Sequence, residues 1–201
     1  MLKQLELVEK VYETKSKGII VFCKHPPIVT LGRSTKLDDL TTWSGAKLEV
    51  SRGGRATYHG PSQLVIYPII NLNFASPKRP AKDVTSYLRN FENAIVQMLE
   101  NYGLKAQGRS LQKKSEESDS GDETGVWIDS QKIASLGIAV RKWVTYHGAA
   151  INVHADPMAF QGLMPCGFQP SVMVDLESLT KKKIDEEQLK LRLRAELELV
   201  L

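Results

Sequence analysis

Apolar residues fall along this chain in short runs and in one helical repeat, and the two patterns predict different elements. A run of 4–8 apolar residues bounded by turn residues is typical of a strand. GIIVFC (18–23) fits that description as a buried strand, and HPP (25–27) ends it. The other predicted strands are AKLEVSR (46–52), QLVIYPIINL (63–72), VWID (126–129), KIASLGIAV (132–140) and YHGAAINV (146–153).

The helical repeat lies between Asp83 and Tyr102, where apolar residues recur at steps of three and four. Asp83 suits an N-cap and Gly103 suits a C-terminal stop, so the segment predicts an amphipathic helix facing the core. A leucine-rich charged pattern from Ile184 onward predicts another helix. The order of elements predicts an α/β fold, a single domain over residues 1–201 with a mixed β-sheet and flanking helices. KKSEESDSGDET (113–124) is almost without apolar residues and predicts a solvated loop.

Composition and charge exclude several classes of protein. The chain is 42% hydrophobic and 25% charged, which suits ordinary globular folding. It has no apolar run of the roughly 18 residues that a membrane span needs and no signal-peptide core, so we expect a cytoplasmic protein without membrane attachment. The formal charge of +4 is too modest to indicate nucleic-acid binding, and it suits an acidic protein partner. Two cysteines and four histidines lack metal-ligand spacing, so no metal is expected.

The stretch RGGRATYHGPSQ (52–63) is the first candidate for chemistry. Its glycines and proline disfavour a regular strand or helix running through the whole stretch, and glycine lets a backbone approach a ligand closely. Its arginines, Thr57, Tyr58 and His59 supply donors and charge around that backbone. A plain surface hairpin is the alternative interpretation of this segment taken alone.

Cys166 and Lys132 are the other candidates. Cys166 stands between Pro165 and Gly167, which cannot both belong to a regular element, so the thiol is expected on a bend. An isolated cysteine is otherwise most often a small buried hydrophobic residue, and we assign Cys23, inside an apolar run, to the core. Lys132 begins an apolar strand, where its ordinary role would be a surface charge. A nearby ammonium would favour the thiolate form of a cysteine.

These segments together resemble the octanoyl-[acyl-carrier-protein]:protein octanoyltransferases of lipoate biosynthesis. The likeness runs in one collinear order through HPPIVTLGR (25–33), RGGRATYHGPSQLVIYPI (52–69), KIASLGIAVRKWVTYHGAAINV (132–153) and PCG (165–167). The resemblance implies a fold similar to the catalytic domain of lipoate and biotin protein ligases. It also implies a single acyltransferase domain with a thioester on Cys166 and Lys132 as its partner.

The implied reaction moves an octanoyl group from octanoyl-acyl carrier protein to a lysine of apo lipoyl domains, without a cofactor. The acceptors implied are the lipoyl domains of 2-oxoacid dehydrogenase complexes and the glycine cleavage H protein. Small residues at 148–150, together with Leu136 and Gly137, are candidates for passing the acyl chain. The substrate-binding residues expected are Arg52, Gly53, Gly54, Arg55, Ala56, Thr57, Tyr58, His59, Ser135, Leu136, Gly137, Gly148, Ala149 and Ala150.

Three alternatives stay open at the level of sequence. An ATP-dependent lipoate or biotin protein ligase would share the implied fold, and a non-catalytic module that binds acyl carrier protein would share the scaffold. His59 or His25 could pair with the cysteine instead of Lys132. The chain also departs from the family pattern: Ser62 stands where a second glycine is usual, Cys23-Lys24 replace a common acidic residue, and the start is short, so Met1 is not expected to be the full natural beginning.

Overall fold

The computed structural model describes residues 2–110 and 121–201 as two β-sheets with helices packed on both faces of the larger sheet. The helices are α1 (Leu2–Glu13), α2 (Val84–Glu100), α3 (Leu176–Thr180) and α4 (Glu186–Val200). The strands are β1 (Gly18–Cys23), β2 (Ile28–Leu31), β3 (Lys47–Glu49), β4 (Thr57–His59), β5 (Gln63–Ile70), β6 (Gln107–Gly108), β7 (Gly125–Ile128), β8 (Gln131–Arg141) and β9 (Val144–Asn152).

The larger sheet has six strands in the order β1-β5-β9-β8-β7-β6, and each neighbouring pair is antiparallel. The smaller sheet has the order β3-β2-β4, with β2 parallel to β3 and antiparallel to β4. The predicted α/β class with a sheet and flanking helices is confirmed. The parallel strand pairing expected of a mixed sheet belongs to the smaller sheet, because short turns connect β7, β8 and β9 and such turns join antiparallel strands.

Helices cover the two faces of the larger sheet unequally. On one face, α2 and α4 bury the main core, which includes Tyr87, Phe91, Ile95, Leu193 and Leu197. On the other face, Val8 and Val11 of α1 pack against Ile69, Val144 and Tyr146. Helix α1 covers one part of that face, and another part lines a cavity together with residues of the smaller sheet.

Several local predictions are confirmed by the structure. The bounds of β1 match the predicted strand residue for residue, and the Asp83 carboxylate caps α2 by accepting a hydrogen bond from the Ser86 amide at 2.9 Å. Gly103 follows α2 with a φ of +75°, a conformation that glycine adopts without a side-chain clash. The prediction that β1 is buried was wrong: each of its residues is only partly buried, because β1 is an edge strand that pairs with β5 alone.

As predicted, no single strand or helix runs through the whole of residues 52–63, although part of the stretch is regular. Residues 57–59 form β4, which pairs with β2, so a partner strand distant in sequence determines their conformation. Most of the predicted polar loop, residues 113–120, lies outside the described residues. None of the helices in the described ranges combines the length and apolar character that crossing a bilayer requires.

Candidate active site

A cavity lies between the two sheets, with the larger sheet as its floor and the smaller sheet as its roof. Small residues leave room above the floor: Gly137 pairs with Gly148 across the β8–β9 ladder, and Ser135 pairs with Ala150. The cavity holds about 790 Å³ of empty space, including its open mouth. Its lining residues are Gln4, His25, Ile28, Thr30, Leu48, Val50, Arg52, Thr57, His59, Val65, Tyr67, Asp122, Ser135, Leu136, Gly137, His147, Gly148, Ala149, Ala150 and Cys166.

Cys166 lies on a tight 3₁₀ turn, Pro165–Gly167, in the wall of this cavity. Its backbone has a φ of 57° and a ψ of 18°, the left-handed region that non-glycine residues rarely occupy. The Cys166 amide donates to the Ala56 carbonyl at 2.8 Å, and its carbonyl accepts from the Asp122 amide at 2.6 Å. The thiol donates to the Ser135 hydroxyl at 3.5 Å. The bend predicted from Pro165 and Gly167 is therefore present, and backbone hydrogen bonds to two other segments fix it.

Lys132 is fully buried at the start of β8, although its residue type would ordinarily lie at the surface. Its ammonium donates to the Asp122 carbonyl at 2.6 Å and lies 5.4 Å and 5.7 Å from the ring centroids of Trp127 and Phe168. Within the described ranges, no carboxylate forms an ion pair with this ammonium. Lys132 does not line the cavity itself. The Asp122 peptide connects the two candidate catalytic residues, because it accepts from Lys132 and donates to the Cys166 carbonyl.

Both arginines of the glycine-rich segment are 8% exposed, so neither presents its charge to solvent. The Arg52 guanidinium donates to the carbonyls of Thr30, Gly53 and Arg55 at 2.8–3.0 Å and to the Thr30 hydroxyl at 2.8 Å. Burial lowers the pKa of Arg52 from its usual value. Arg55 forms a buried ion pair with Asp39 and does not line the cavity.

Three histidines line the cavity and are neutral at physiological pH. Burial, with the Arg52 charge as the next cause, lowers the pKa of His59 to about 3, and the same two causes lower the pKa of His147 to about 4. Burial also lowers the pKa of His25, whose Nε2 lies 2.7 Å from the Tyr67 hydroxyl. Among the described residues, none of these rings hydrogen-bonds to the Cys166 thiol, and no cluster of three His, Cys, Asp or Glu side chains could hold a metal ion.

The second thiol, Cys23, has a different environment from the one we predicted. It is partly buried on the edge strand β1 instead of lying in the core, and its sulfur is 3.6 Å from His25 Nε2. Burial raises the pKa of Cys23 to about 11. This thiol is therefore protonated at neutral pH and is a poor nucleophile.

The structure brings together most of the predicted site residues and separates a few. Arg52, Thr57, His59, residues 135–137 and residues 148–150 line one cavity with Cys166. Gly53, Gly54, Arg55, Ala56 and Tyr58 do not line it. Gly53 and Gly54 lie in the turn that contacts β8, where the Gly53 amide donates to the Ile138 carbonyl at 3.0 Å. The Tyr58 ring packs against Trp43 and Phe160 in a separate cluster.

Sequence reasoning missed several cavity residues. Val65 and Tyr67 could have been found, because alternation along β5 places them on the face opposite the main core residues Leu64 and Ile66. Gln4 gave no local signal. Its side-chain oxygen accepts from the His147 amide at 2.7 Å, a contact between residues 143 positions apart.

Comparisons with known proteins show which family the chain belongs to. The model of the lipoyl protein ligase A/B catalytic domain matches residues 2–198. The octanoyltransferase of Bdellovibrio bacteriovorus is 52% identical over 196 residues, which span 97% of this chain and 90% of that protein. The octanoyltransferase of Rickettsia canadensis is 39% identical over 178 residues, which span 86% of this chain and 78% of that protein.

Among solved structures, the bi-partite lipoate protein ligase of Thermoplasma acidophilum superimposes with a TM-score of 0.64 at 21% identity, covering 96% of this chain and 77% of that one. This similarity concerns the fold and confirms the predicted likeness to lipoate protein ligases. The sequence relatives are closer and agree with one another in activity. The chain belongs to the lipoyl protein ligase A/B catalytic domain family and, within it, to the octanoyltransferases, which are acyltransferases of lipoate biosynthesis.

Proposed function

We propose that this octanoyltransferase carries the octanoyl group as a thioester on Cys166 between two substrates. The donor is octanoyl-acyl carrier protein, and the acceptor is the ε-amine of a lysine on an apo lipoyl domain. The observation that carries this proposal is the position of the Cys166 thiol in the wall of a cavity with small and apolar residues along its floor. Such a space suits an alkyl chain whose carbonyl carbon lies at the sulfur.

In the first step, the Cys166 thiolate attacks the carbonyl carbon of the donor thioester. The tetrahedral intermediate then collapses, the bond to the carrier sulfur breaks, and the carrier thiol leaves with one proton. The Ser135 hydroxyl, 3.5 Å from the sulfur, is a side-chain donor available to the developing oxyanion. The backbone amides of Cys166 and Gly167 are already committed to the carbonyls of Ala56 and Met164, so they do not serve that purpose in this arrangement.

Lys132 is the proposed charge partner and proton relay for the thiol. A buried ammonium that has no carboxylate partner among the residues the structure describes is costly, and an anion that forms nearby reduces that cost. The ammonium lies over the rings of Trp127 and Phe168, whose faces attract cations. The neutral histidines of the cavity support the alternative of a His–Cys pair less well, because none of them bonds to Cys166, whereas Lys132 is connected to it through Asp122.

In the second step, the neutral ε-amine of the acceptor lysine attacks the thioester carbonyl. An amide bond forms, the carbon–sulfur bond to Cys166 breaks, and the proton lost by the amine returns to the sulfur through the relay. The acceptors we propose are the lipoyl domains of 2-oxoacid dehydrogenase complexes and the glycine cleavage H protein. A cytoplasmic location, as expected from the sequence, remains part of this proposal.

A transfer assay without nucleotide tests the reaction. Purified protein, octanoyl-acyl carrier protein and an apo lipoyl domain are mixed without ATP or magnesium, and the intact mass of the lipoyl domain is measured. We expect one octanoyl group on the domain, and none on a control domain in which the acceptor lysine is replaced by arginine. A strict requirement for ATP would instead indicate an adenylating ligase, because only that enzyme class must activate a free acid.

A further inference from the structure

The buried ion pair between Asp39 and Arg55 has no role in the proposed reaction, yet it adjoins the turn that carries Cys166. Asp39 is fully buried and Arg55 is 8% exposed. Arg55 Nε donates to both carboxylate oxygens of Asp39 at 2.9 Å and 3.2 Å, and its Nη2 donates to Oδ1. Two parallel bonds of this kind fix the orientation of both groups.

The guanidinium of this pair packs directly against the residue after the nucleophile. A Cβ at Gly167 would lie 2.5 Å from Arg55 Cζ and 2.8 Å from Arg55 Nε, so the arginine fills the space that a side chain would need. Gly167 has a φ of +83°, which glycine adopts without strain. The close approach of the guanidinium therefore depends on glycine at this position.

Backbone hydrogen bonds from the segments around Asp39 and Arg55 hold the rest of the turn. The Asp39 carbonyl accepts from the Met164 amide at 2.8 Å, one residue before the turn begins. The Ala56 carbonyl, directly after Arg55, accepts from the Cys166 amide at 2.8 Å. The Asp39–Arg55 pair thus joins the two segments that hold the turn from either side.

We propose that Asp39 and Arg55 are positioning residues that hold Cys166 in its left-handed conformation and set the direction of its thiol. The inference rests on the proposed thioester at Cys166. The pair does not contact the substrate in this role, and it does not attract an acidic partner, since both groups are buried and neutralise each other. It acts by preventing the turn from relaxing toward the conformations that a non-glycine residue prefers.

The test uses single-turnover kinetics with a matched set of variants in a Cys23→Ser background. The first variant is Arg55→Gln. The second is the double variant Asp39→Asn/Arg55→Gln, which removes both charges of the pair together, so neither of the two is left without the other. The control is Asp38→Asn, because the Asp38 carboxylate lies 3.7 Å from Arg55 Nη2 but its side chain is 76% exposed.

Each protein is mixed with excess octanoyl-acyl carrier protein without acceptor, and thioester formation is followed by quenched-flow mass spectrometry. The amplitude measures the fraction of folded protein, and the rate constant at saturating donor measures how well the thiol is placed. We expect full amplitude and a rate constant lowered on the order of 10²-fold in the double variant, the effect of a displacement of about 1 Å. The control should match the parent protein.

Two further readouts separate this role from others. A small octanoyl thioester should show the same loss of rate as the carrier-protein donor, whereas a role in partner binding would affect only the carrier protein. A lowered amplitude with an unchanged rate constant would mean that the pair serves stability alone and would overturn the inference. If the parent protein forms no thioester, the proposed function fails, and the rate of Cys166 alkylation by iodoacetamide then decides the inference: equal rates in parent and double variant contradict it.

Discussion

Replacing Lys132 with methionine should slow transfer by orders of magnitude while leaving the protein folded. Methionine has a similar length and no charge, so it fills the space between the rings of Trp127 and Phe168. The loss of a proton relay in both steps should lower the rate by about 10²- to 10⁴-fold. If Lys132 only stabilised the fold, its replacement would lower the folded fraction and not the rate of the folded protein.

The stability change follows from two opposing contributions. The hydrogen bond from the ammonium to the Asp122 carbonyl, at 2.6 Å, involves a charged donor and is worth roughly 1.5–3 kcal/mol. Against this, the ammonium is fully buried without a carboxylate partner in the described chain, and the effective desolvation penalty of such a charge is several kcal/mol. The two contributions nearly cancel. We therefore expect the free energy of unfolding to change by less than about 2 kcal/mol, or roughly 4–8 °C in Tm for a chain of this size.

The assay pairs single-turnover transfer with differential scanning calorimetry on the same samples. Lys132→Arg should fail nearly as badly as Lys132→Met, because guanidinium keeps its charge but cannot release a proton near neutral pH. Lys142→Met is the matched control, since Lys142 is a partly exposed lysine whose ion pair with Glu9 contributes little. Retention of most activity by Lys132→Arg would show that charge alone is needed and would refute the relay. Retention of activity by Lys132→Met would remove Lys132 from the mechanism.

Two other predictions concern the pH dependence and the cavity floor. The pKa of His59 is about 3 in the folded protein and 6.5 in the unfolded chain, so the unfolded chain binds more protons between these values and stability falls as pH decreases below about 6.5. This group should lower the free energy of unfolding by about 2 kcal/mol between pH 8 and pH 5. Urea unfolding at both pH values should show a smaller decrease for His59→Gln than for the parent protein. Equal decreases in the two proteins would contradict this assignment. A Cβ at Gly137 would lie 2.9 Å from the Gly53 carbonyl oxygen and 3.0 Å from Arg52 Cδ, so Gly137→Ala should lower stability by about 1–3 kcal/mol and slow thioester formation. Gly103→Ala is its control, because a Cβ there meets no atom within 4 Å, and it should lower stability by about 1–2 kcal/mol through its positive φ without slowing the folded enzyme; a slowed control would dissociate the rate effect from the cavity floor.

Local patterns were sufficient for the elements that depend on local interactions. The Asp83 cap, the apolar face of α2 and the strand β1 follow from residues close together in the chain. The bend at Cys166 follows in the same way from Pro165 and Gly167. These features could be predicted because the interactions that form each element involve only residues within its own short segment.

The environment of charged groups could not be predicted, because it depends on residues distant in sequence. Arg55 was expected to supply charge around the glycine-rich backbone, but it forms a buried ion pair with Asp39, 16 positions earlier, against the Cys166 turn. Lys132 begins a strand as predicted, but it is buried between two aromatic rings and the Asp122 peptide, whereas a lysine ordinarily lies at the surface. A sequence records the presence of a charge, whereas its burial and partners arise only when the chain is folded.

The most direct test of the central claim is the intact mass of the protein after incubation with octanoyl-acyl carrier protein in the absence of an acceptor. The account predicts a single added octanoyl group on the peptide that contains Cys166, removable by neutral hydroxylamine as a thioester is. Cys23→Ser should acquire the same group, since the Cys23 thiol is protonated and lies on β1, and Cys166→Ser should acquire none. An octanoyl group on Cys166→Ser, or full transfer to a lipoyl domain by that variant, would contradict the thioester on Cys166.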